Sequence, residues 1–403
     1  DAWEAMVKQF EALNPGTTVK TTVLPISSFY QTLSTQLQAG SSADLIFNQA
    51  AYKSSQVVPL NSYLLQPNPY APEFKRWIDA FDPNGFNEAQ QDAEGNWNWV
   101  PFNLVSAGLF VNEDAFAKAG VTLPLETWQE WRNAVRKLKA AGYTPLAMDN
   151  FEVGIIWTFR TIGDQLMDKY YTRWNVFKND GTPGTARTLK EKAYARVIKT
   201  TPNLARLPEM TTTLRLLKEV FTNATPNWSG IKPTSGAAVN IKDFLAGKAA
   251  MAWGLNFAVS DVLDVKTPFK VGSIGWPTIT KATTSLSSNA PARFGVAPGG
   301  TSYMIPATTK GDDLKTAVNF LQYITSPKYN QPWLTASAGA SSVKGVKAVA
   351  AINGFGEGAW GEAPRVQTPR TRCKPPGSRQ RITRLLKIPI GKTRAGLSKP
   401  SSK

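Results

Sequence analysis

"DAWEAMVKQFEALNPGTTVKTTVLPISSFYQTLSTQLQAGSSADLIF", residues 1–47, is the stretch whose reading decides the fold. Trp3, Met6, Phe10 and Leu13 recur at the spacing that gathers side chains on one helical stripe, and Asn14-Pro15-Gly16 stops the helix. "TTVKTTVL" then alternates as a strand. A second helix is expected over about 28–39, with Tyr30, Leu33 and Leu37 inward, ending at Gly40 and feeding a strand through Ala43 to Phe47. Helix, strand, helix, strand is the rhythm of a parallel α/β sheet. The stretch opens on a helix, so the strand expected ahead of it is missing.

The same rhythm continues downstream. "GNWNWVPFNLVSAGLFVNEDAFAKAGV", from Gly95, predicts two strands around Pro101 and then a short helix. In "LPLETWQEWRNAVRKLKAAGYTPLAM", Thr127 and Glu130 form a capping box and Trp128, Trp131, Val135 and Leu138 make one apolar face. Gly142 is the C-terminal stop. The two tryptophans read as core. "TSYMIPATTKGDDLKTAVNFLQYITSP" predicts a strand and a helix with Leu314, Ala317, Val318, Leu321 and Ile324 on one side. No repeat of fixed period occurs. A chain of 403 residues exceeds what one core usually organises, which points to two domains.

Composition excludes several classes of function. With no histidine, the usual general base, the commonest zinc ligand and every Ser-His-Asp or Cys-His arrangement are absent. Cys373 is the only cysteine, so no intrachain disulfide or thiolate metal cluster can form. No apolar run approaches the length of a transmembrane helix, and Asp1 does not open a signal peptide. The net charge of +17 suggests nucleic acid until it is located. Residues 363–403 hold twelve Lys or Arg and no acid, leaving 34 basic against 29 acidic residues in 1–362, a mildly basic body.

Six stretches, taken in order, resemble the extracytoplasmic solute-binding proteins of ABC sugar importers, the maltose-binding-protein-like group. They are "FEALNPGTTVKTTVL", "LQAGSSADLIF", "VPFNLVSAGLFVNEDAFAKAGV", "TWQEWRNAVRKLKAAGYTPLAM", "FLAGKAAMAWG" and "AVNFLQYITSP". Their order and spacing over about residues 1–345 make the resemblance specific. It implies an α/β, two-lobed periplasmic-binding-protein-like fold (type II) whose lobes are joined by crossing strands and close over a carbohydrate. The implied division is 1–106 with 296–350 as one lobe, 107–295 with 351–362 as the other, and 363–403 as a basic, disordered tail. The implied protein is bacterial, extracellular or periplasmic, free or lipid-anchored, a monomer, and not an enzyme. It needs no cofactor, binds no nucleic acid, and partners a mono- or oligosaccharide and the permease subunits of an ABC transporter.

The resemblance also nominates ligand-binding residues. Asn48 and Gln49 trail the "ADLIF" strand, where a solvated turn is the alternative. Asn103 lies near the first crossing. Asn150, Glu152 and Trp157 follow the strand "TPLAM"; Trp157 reads as a stacking platform or as a helix-buried ring. In "FLAGKAAMAWGLNF" Gly254 frees a turn that brings Asn256 and Phe257 to the sugar, with lobe packing the alternative for Phe257 and strand core the reading for Trp253. Gly299 and Gly300 resemble a glycine pair at the second crossing. The chemistry is apt, because amides offer donor and acceptor to hydroxyl groups and aromatic rings cover the C–H faces of a sugar.

Two departures from the pattern are expected to matter. The family's first strand lies inside the first lobe's sheet, and relatives continue past "SVKGV" with helices absent here. The resemblance therefore includes a truncated or frame-shifted gene product among its readings. A glycosidase would need two carboxylates about 5–10 Å apart, and Asp149, Glu152 and Asp261 do not assemble into a persuasive pair. Nucleic-acid or anionic-surface binding through the tail is the other alternative, although the tail lacks interleaved aromatics.

Overall fold

A computed structural model describes residues 2–48, 55–82, 86, 91–92, 94–151, 153–174, 203–226, 228–229, 240–292, 302–337, 339–347, 349, 352, 354–355 and 385–388. Within them the chain is α/β, with a five-stranded sheet, a four-stranded sheet and a two-stranded ribbon. The strands in chain order are β1 (Thr22–Leu24), β2 (Leu45–Asn48), β3 (Val100–Pro101), β4 (Asn103–Leu104), β5 (Ala107–Asn112) and β6 (Thr144–Ala147). They continue with β7 (Ala249–Leu255), β8 (Val271–Ile274), β9 (Ser302–Met304), β10 (Ala340–Ser341) and β11 (Leu385–Ile388).

The opening helix, Ala2–Leu13, buries Trp3, Met6, Val7 and Phe10. Leu13, expected on that stripe, is exposed, because the helix ends where Asn14 turns its side-chain amide back onto the Phe10 carbonyl and Gly16 takes a left-handed φ of 86°. The next helix, Ile26–Ala39, starts two residues earlier than its expected position and ends at Gly40 in the left-handed conformation. Its inward stripe is set by Phe29 and Leu33, while Tyr30 points out. A one-residue rotation, 100° around a helix, moved the aromatic face from one ring to its neighbour.

The five-stranded sheet has the order β1-β11-β2-β9-β3, with every neighbouring pair antiparallel. β1 and β2 run in the same direction, as the helix-strand rhythm requires, but they do not touch. The expectation of a parallel sheet fails because β11 lies between them. The expected disorder of the tail likewise departs from the structure at Leu385–Ile388, which form that strand. The rest of 363–403 lies outside the described residues.

The core on this sheet joins both ends of the sequence. Trp3 stacks on Tyr303 and meets Phe102 and Phe320 edge-on, with ring centroids near 6 Å. The Tyr323 hydroxyl donates to the Met6 carbonyl at 3.1 Å, and Trp77 Nε1 donates to Thr325 Oγ1 at 2.9 Å. The helix Gly311–Ile324 contributes Ala317, Val318, Leu321 and Ile324 as its spacing predicts, and Phe320 besides.

The four-stranded sheet runs β6-β7-β5-β8, with β6 and β7 parallel and the others antiparallel. β5 is buried at all six positions. Ala107, Leu109 and Val111 join one core, shared with Trp128, Trp131 and Leu138, and Phe110 joins another with Phe244, Ile352 and Phe355. A strand covered on both faces reads as a continuous apolar run rather than an alternating one. The helix Trp128–Ala140 carries the expected capping box: Glu130 N–H donates to Thr127 Oγ1 at 3.2 Å, and Thr127 N–H to Glu130 Oε2 at 2.9 Å.

Candidate functional site

Strand direction fixes where the candidate residues sit. β2 and β3 both end, and β9 begins, at one edge of the five-stranded sheet: Asn48 pairs with Ser302, and Ser302 pairs with Pro101. The Ser302 hydroxyl donates to the Asn48 carbonyl there. From Pro101 the chain leaves through β4, Asn103–Leu104, and Val105-Ser106 into β5 of the other sheet. β5 enters beside Leu255, the last residue of β7. β6 runs parallel to β7, so its carboxyl end, with Asp149 and Asn150 just beyond, lies at the same edge. Asn48, Asn103, Asn150 and Asn256 thus sit on the two sheet edges that the segment 103–106 joins, at strand ends, where open α/β sheets take their ligands.

Asn256 is held at both polar ends of its amide. Its backbone N–H donates to the Ser106 carbonyl at 3.0 Å, its Oδ1 accepts from the Ser106 N–H at 2.9 Å, and its Nδ2 donates to the Leu104 carbonyl at 3.1 Å. The side chain is 1% exposed. Its amide therefore braces the crossing segment from both polar ends. Asn103 is held from the other side, since β4 pairs with β10, Asn103 opposite Ser341. The Ser341 hydroxyl donates to Asn330 Oδ1 at 3.0 Å, and Asn330 Nδ2 donates to the Ile324 carbonyl at 3.0 Å.

Trp157 ends the π-helical turn Val153–Trp157 and is half-buried, its ring 6.2 Å from that of Trp253 at a tilt of 53°. Trp253 is strand core, as expected. Asn150 is half-buried. Gln49, Glu152, Gly299 and Gly300 lie outside the described residues, as does the Phe257 side chain.

The structure assigns Gly254 a role different from the expected turn. It lies within β7, opposite Gly108 of β5, and its φ is not left-handed. A Cβ at Gly254 would stand 2.7 Å from the Phe355 ring and 2.8 Å from that of Phe110; one at Gly108 would stand 2.4 Å from the Ile274 carbonyl oxygen and 2.5 Å from Phe355. The paired glycines make a slot that seats Phe355. Backbone freedom is used instead at Gly247, φ 72°, which turns the short helix Lys242–Leu245 into β7.

Two carboxyls near this edge have perturbed acidity. Asp149 is fully buried, and burial pushes its carboxyl up; the Asn240 and Phe151 backbone N–H groups, both donating to it, pull the other way. It is an anchor for the loop that carries Asn150, and an Asp directly after a strand, followed by a residue whose N–H it can accept, is the local signal that could have found it. Asp261, in the helix Val259–Leu263, is pushed up to about 6 by burial and by the neighbouring Asp264. An apolar depression on the helix Pro208–Thr222, lined by Leu214, Leu217, Phe221 and Trp228, includes none of the candidate residues. Among the described residues no cluster of acidic or thiol side chains is placed to hold a metal ion, and no helix is long and apolar enough to cross a membrane.

The family model described as bacterial extracellular solute-binding protein matches residues 1–331. A putative binding protein of Brucella abortus (strain 2308) is 27% identical over 195 residues, 45% of this chain and 42% of that protein, so the match spans less than half of the relative's length. The multiple sugar-binding protein of Streptococcus mutans is 23% identical over 342 residues, 85% of this chain and 72% of that one. Among solved structures, the apo form of RafE from Streptococcus pneumoniae superposes with a TM-score of 0.62 at 20% identity, covering 88% of this chain and 81% of that one. Maltose-bound MalE3 of T. maritima superposes with a TM-score of 0.59 at 14% identity, covering 86% and 78%. At these identities the structural likeness shows the fold, and the fold is the two-lobed one.

Proposed function

Because this chain belongs to the bacterial extracellular solute-binding protein family, we propose that it captures a mono- or oligosaccharide between its lobes outside the cytoplasmic membrane and hands it to the permease of an ABC importer. The observation that carries this reading is the shared geometry of the two sheet edges: the segment that connects them is flanked on both sides by asparagine amides at strand ends. Amide side chains suit a polyhydroxylated ligand because they carry both donor and acceptor without a titrating base, and Asn256, whose own amide is taken up by Ser106 and Leu104, serves it by holding the crossing segment. We assign residues 1–106 with 296–350 to one lobe and 107–295 with 351–362 to the other, a division supported by the five-stranded sheet drawing β1, β2, β3 and β9 from the first set and the four-stranded sheet drawing all its strands from the second. Asn48, Gln49, Asn103, Asn150, Glu152, Trp157, Phe257, Gly299 and Gly300 are the residues assigned to the ligand surface. Asn256 is assigned to it through the crossing segment it braces.

Capture is a population shift. A ligand that touches both lobes only when they are closed stabilises closure by its differential contacts. No bond of the ligand is made or broken, and the protein acts as a monomer. Thermal-shift titration against a panel of mono- and oligosaccharides tests the proposal. A ligand at a hundredfold excess over its Kd adds about 2.7 kcal/mol of native-state stability, so one class of sugar should raise the melting temperature saturably. A cooperative melt that no sugar moves would overturn the carbohydrate assignment.

A further inference from the structure

β1 and β2 are parallel neighbours separated by the width of one strand, and that width is filled by Leu385–Ile388. β11 runs antiparallel to both. Val23 is paired with Leu386 and Leu24 with Leu385 on one side, and Ile46 with Lys387 and Leu45 with Ile388 on the other. Two facing edges about 9–10 Å apart admit one extended segment and no more. The four residues of β2 are all buried. Without an occupant, β2 would lose one of its two ladders and leave buried N–H and C=O groups without partners, at a cost of roughly 1–3 kcal/mol each. Among the described residues β1 has β11 as its sole ladder partner.

The occupant suits the slot. "LLKI" has three apolar residues in four, and the next residue in the sequence, Pro389, has no N–H to give to a ladder. Residues 356–384 separate it from Phe355, a length whose extended reach exceeds the dimensions of a domain. We propose that the gap between β1 and β2 is a strand-acceptor site, filled in cis by the chain's own segment 385–388, so that the basic tail completes the five-stranded sheet by adding a strand rather than by binding an anionic polymer. This is the physics of strand addition, in which backbone hydrogen bonds supply affinity and register supplies specificity.

The full chain carries the test. In a C373S background, Val23→Cys with Leu386→Cys places two thiols on Cα partners, within the spacing a disulfide needs. Mild oxidation should give a cross-linked monomer on a non-reducing gel. Pairing Val23→Cys with Ile388→Cys, which is out of register, should cross-link at least tenfold more slowly. Absence of the in-register cross-link, or equal rates for the two pairs, would overturn the site, and cross-linked dimers alone would overturn its filling in cis. Independently, a chain ending at residue 362 should melt several degrees lower than the full chain, and a synthetic peptide of residues 381–390 should restore the difference saturably. A truncated chain that melts with the full one would also overturn the proposal.

Discussion

The two sheets of this molecule are closed in different ways. The four-stranded sheet takes all its strands from residues 107–274, each sequence neighbour being a spatial neighbour or one removed. The five-stranded sheet takes strands from residues 22–48, 100–101, 302–304 and 385–388, and its core joins Trp3 to Tyr303 and Met6 to Tyr323. Both sheets are built from distant segments, but the ladders of the four-stranded sheet join residues such as Thr144 and Ala249 while those of the five-stranded sheet reach from Thr22 to Lys387, and loop-closure entropy grows with that separation. The five-stranded sheet therefore depends on the completeness of the chain, whereas the other depends on the quality of its own packing.

The largest effect that could break this comparison is in the unit built around the four-stranded sheet. Trp131, buried at 1% exposure against Trp128 at 5.2 Å between ring centroids, should cost about 3–5 kcal/mol on replacement by alanine. Amide exchange should then rise throughout β5–β8 while β2 and β9 keep their protection. Equal loss in both sheets would mean that they unfold as one unit.

Next in size, Gly254→Val should destabilise by about 1–3 kcal/mol, because the new side chain enters the space of Phe355 and Phe110. Adding Phe355→Ala should recover part of the loss, and the non-additivity in denaturant melts measures how strongly residues 352–355 are keyed to the sheet.

Asn256→Ala sharpens the comparison at the junction itself. It leaves the Ser106 N–H and the Leu104 carbonyl without their amide, which should cost about 1–3 kcal/mol. It should also weaken any sugar-induced thermal shift more than an equally destabilising change in the helix Trp128–Ala140 does.

The smallest effect is one of pH. The Asp261 carboxyl, raised to about 6 by burial and Asp264, holds its proton in the native state at pH values where the unfolded chain has lost it. The unfolded state then binds fewer protons, and stability falls as pH rises from about 4 to about 6. Asp261→Asn should flatten that slope and gain on the order of 1 kcal/mol above pH 6, after allowance for solvent screening of a part-exposed group. Paired melts at pH 4 and pH 7 read it directly.

Much of the fold was legible in the sequence because the local signals agreed with one another. The capping box at Thr127 and Glu130, the stripe from Ala317 to Ile324 and the stop at Gly40 each hold in the structure. Tyr30 and Leu13 were misplaced because a helical stripe read by spacing alone tolerates an error of one residue or one turn. The sheet order was illegible: which strand separates β1 from β2 is a contact across more than 300 residues, and no periodicity carries it. At the candidate site the residue types were readable, since Asn at strand ends is visible in the text. The bracing role of Asn256 was not, because its partners are the backbone of Leu104 and Ser106 and backbone has no letter of its own. Gly254 misled for the related reason that a glycine in a strand can mean a turn or a close approach, and only the position of Phe355 decides.

The position of β11 sets a timetable for the chain as it is made. β2 is finished at Asn48, but its neighbour on one side arrives only with Ile388, about 340 residues later. At ribosomal speeds that is a wait of roughly 20–70 s. The slot of the other sheet, complete in its strands at Ile274, waits about 4–16 s for Phe355. From the completion of β8 at Ile274 until Ile388 is made, the nascent protein therefore carries one nearly finished half and one half with an open seam. The seam is where a chaperone, a protease or a neighbouring nascent chain would find its opportunity.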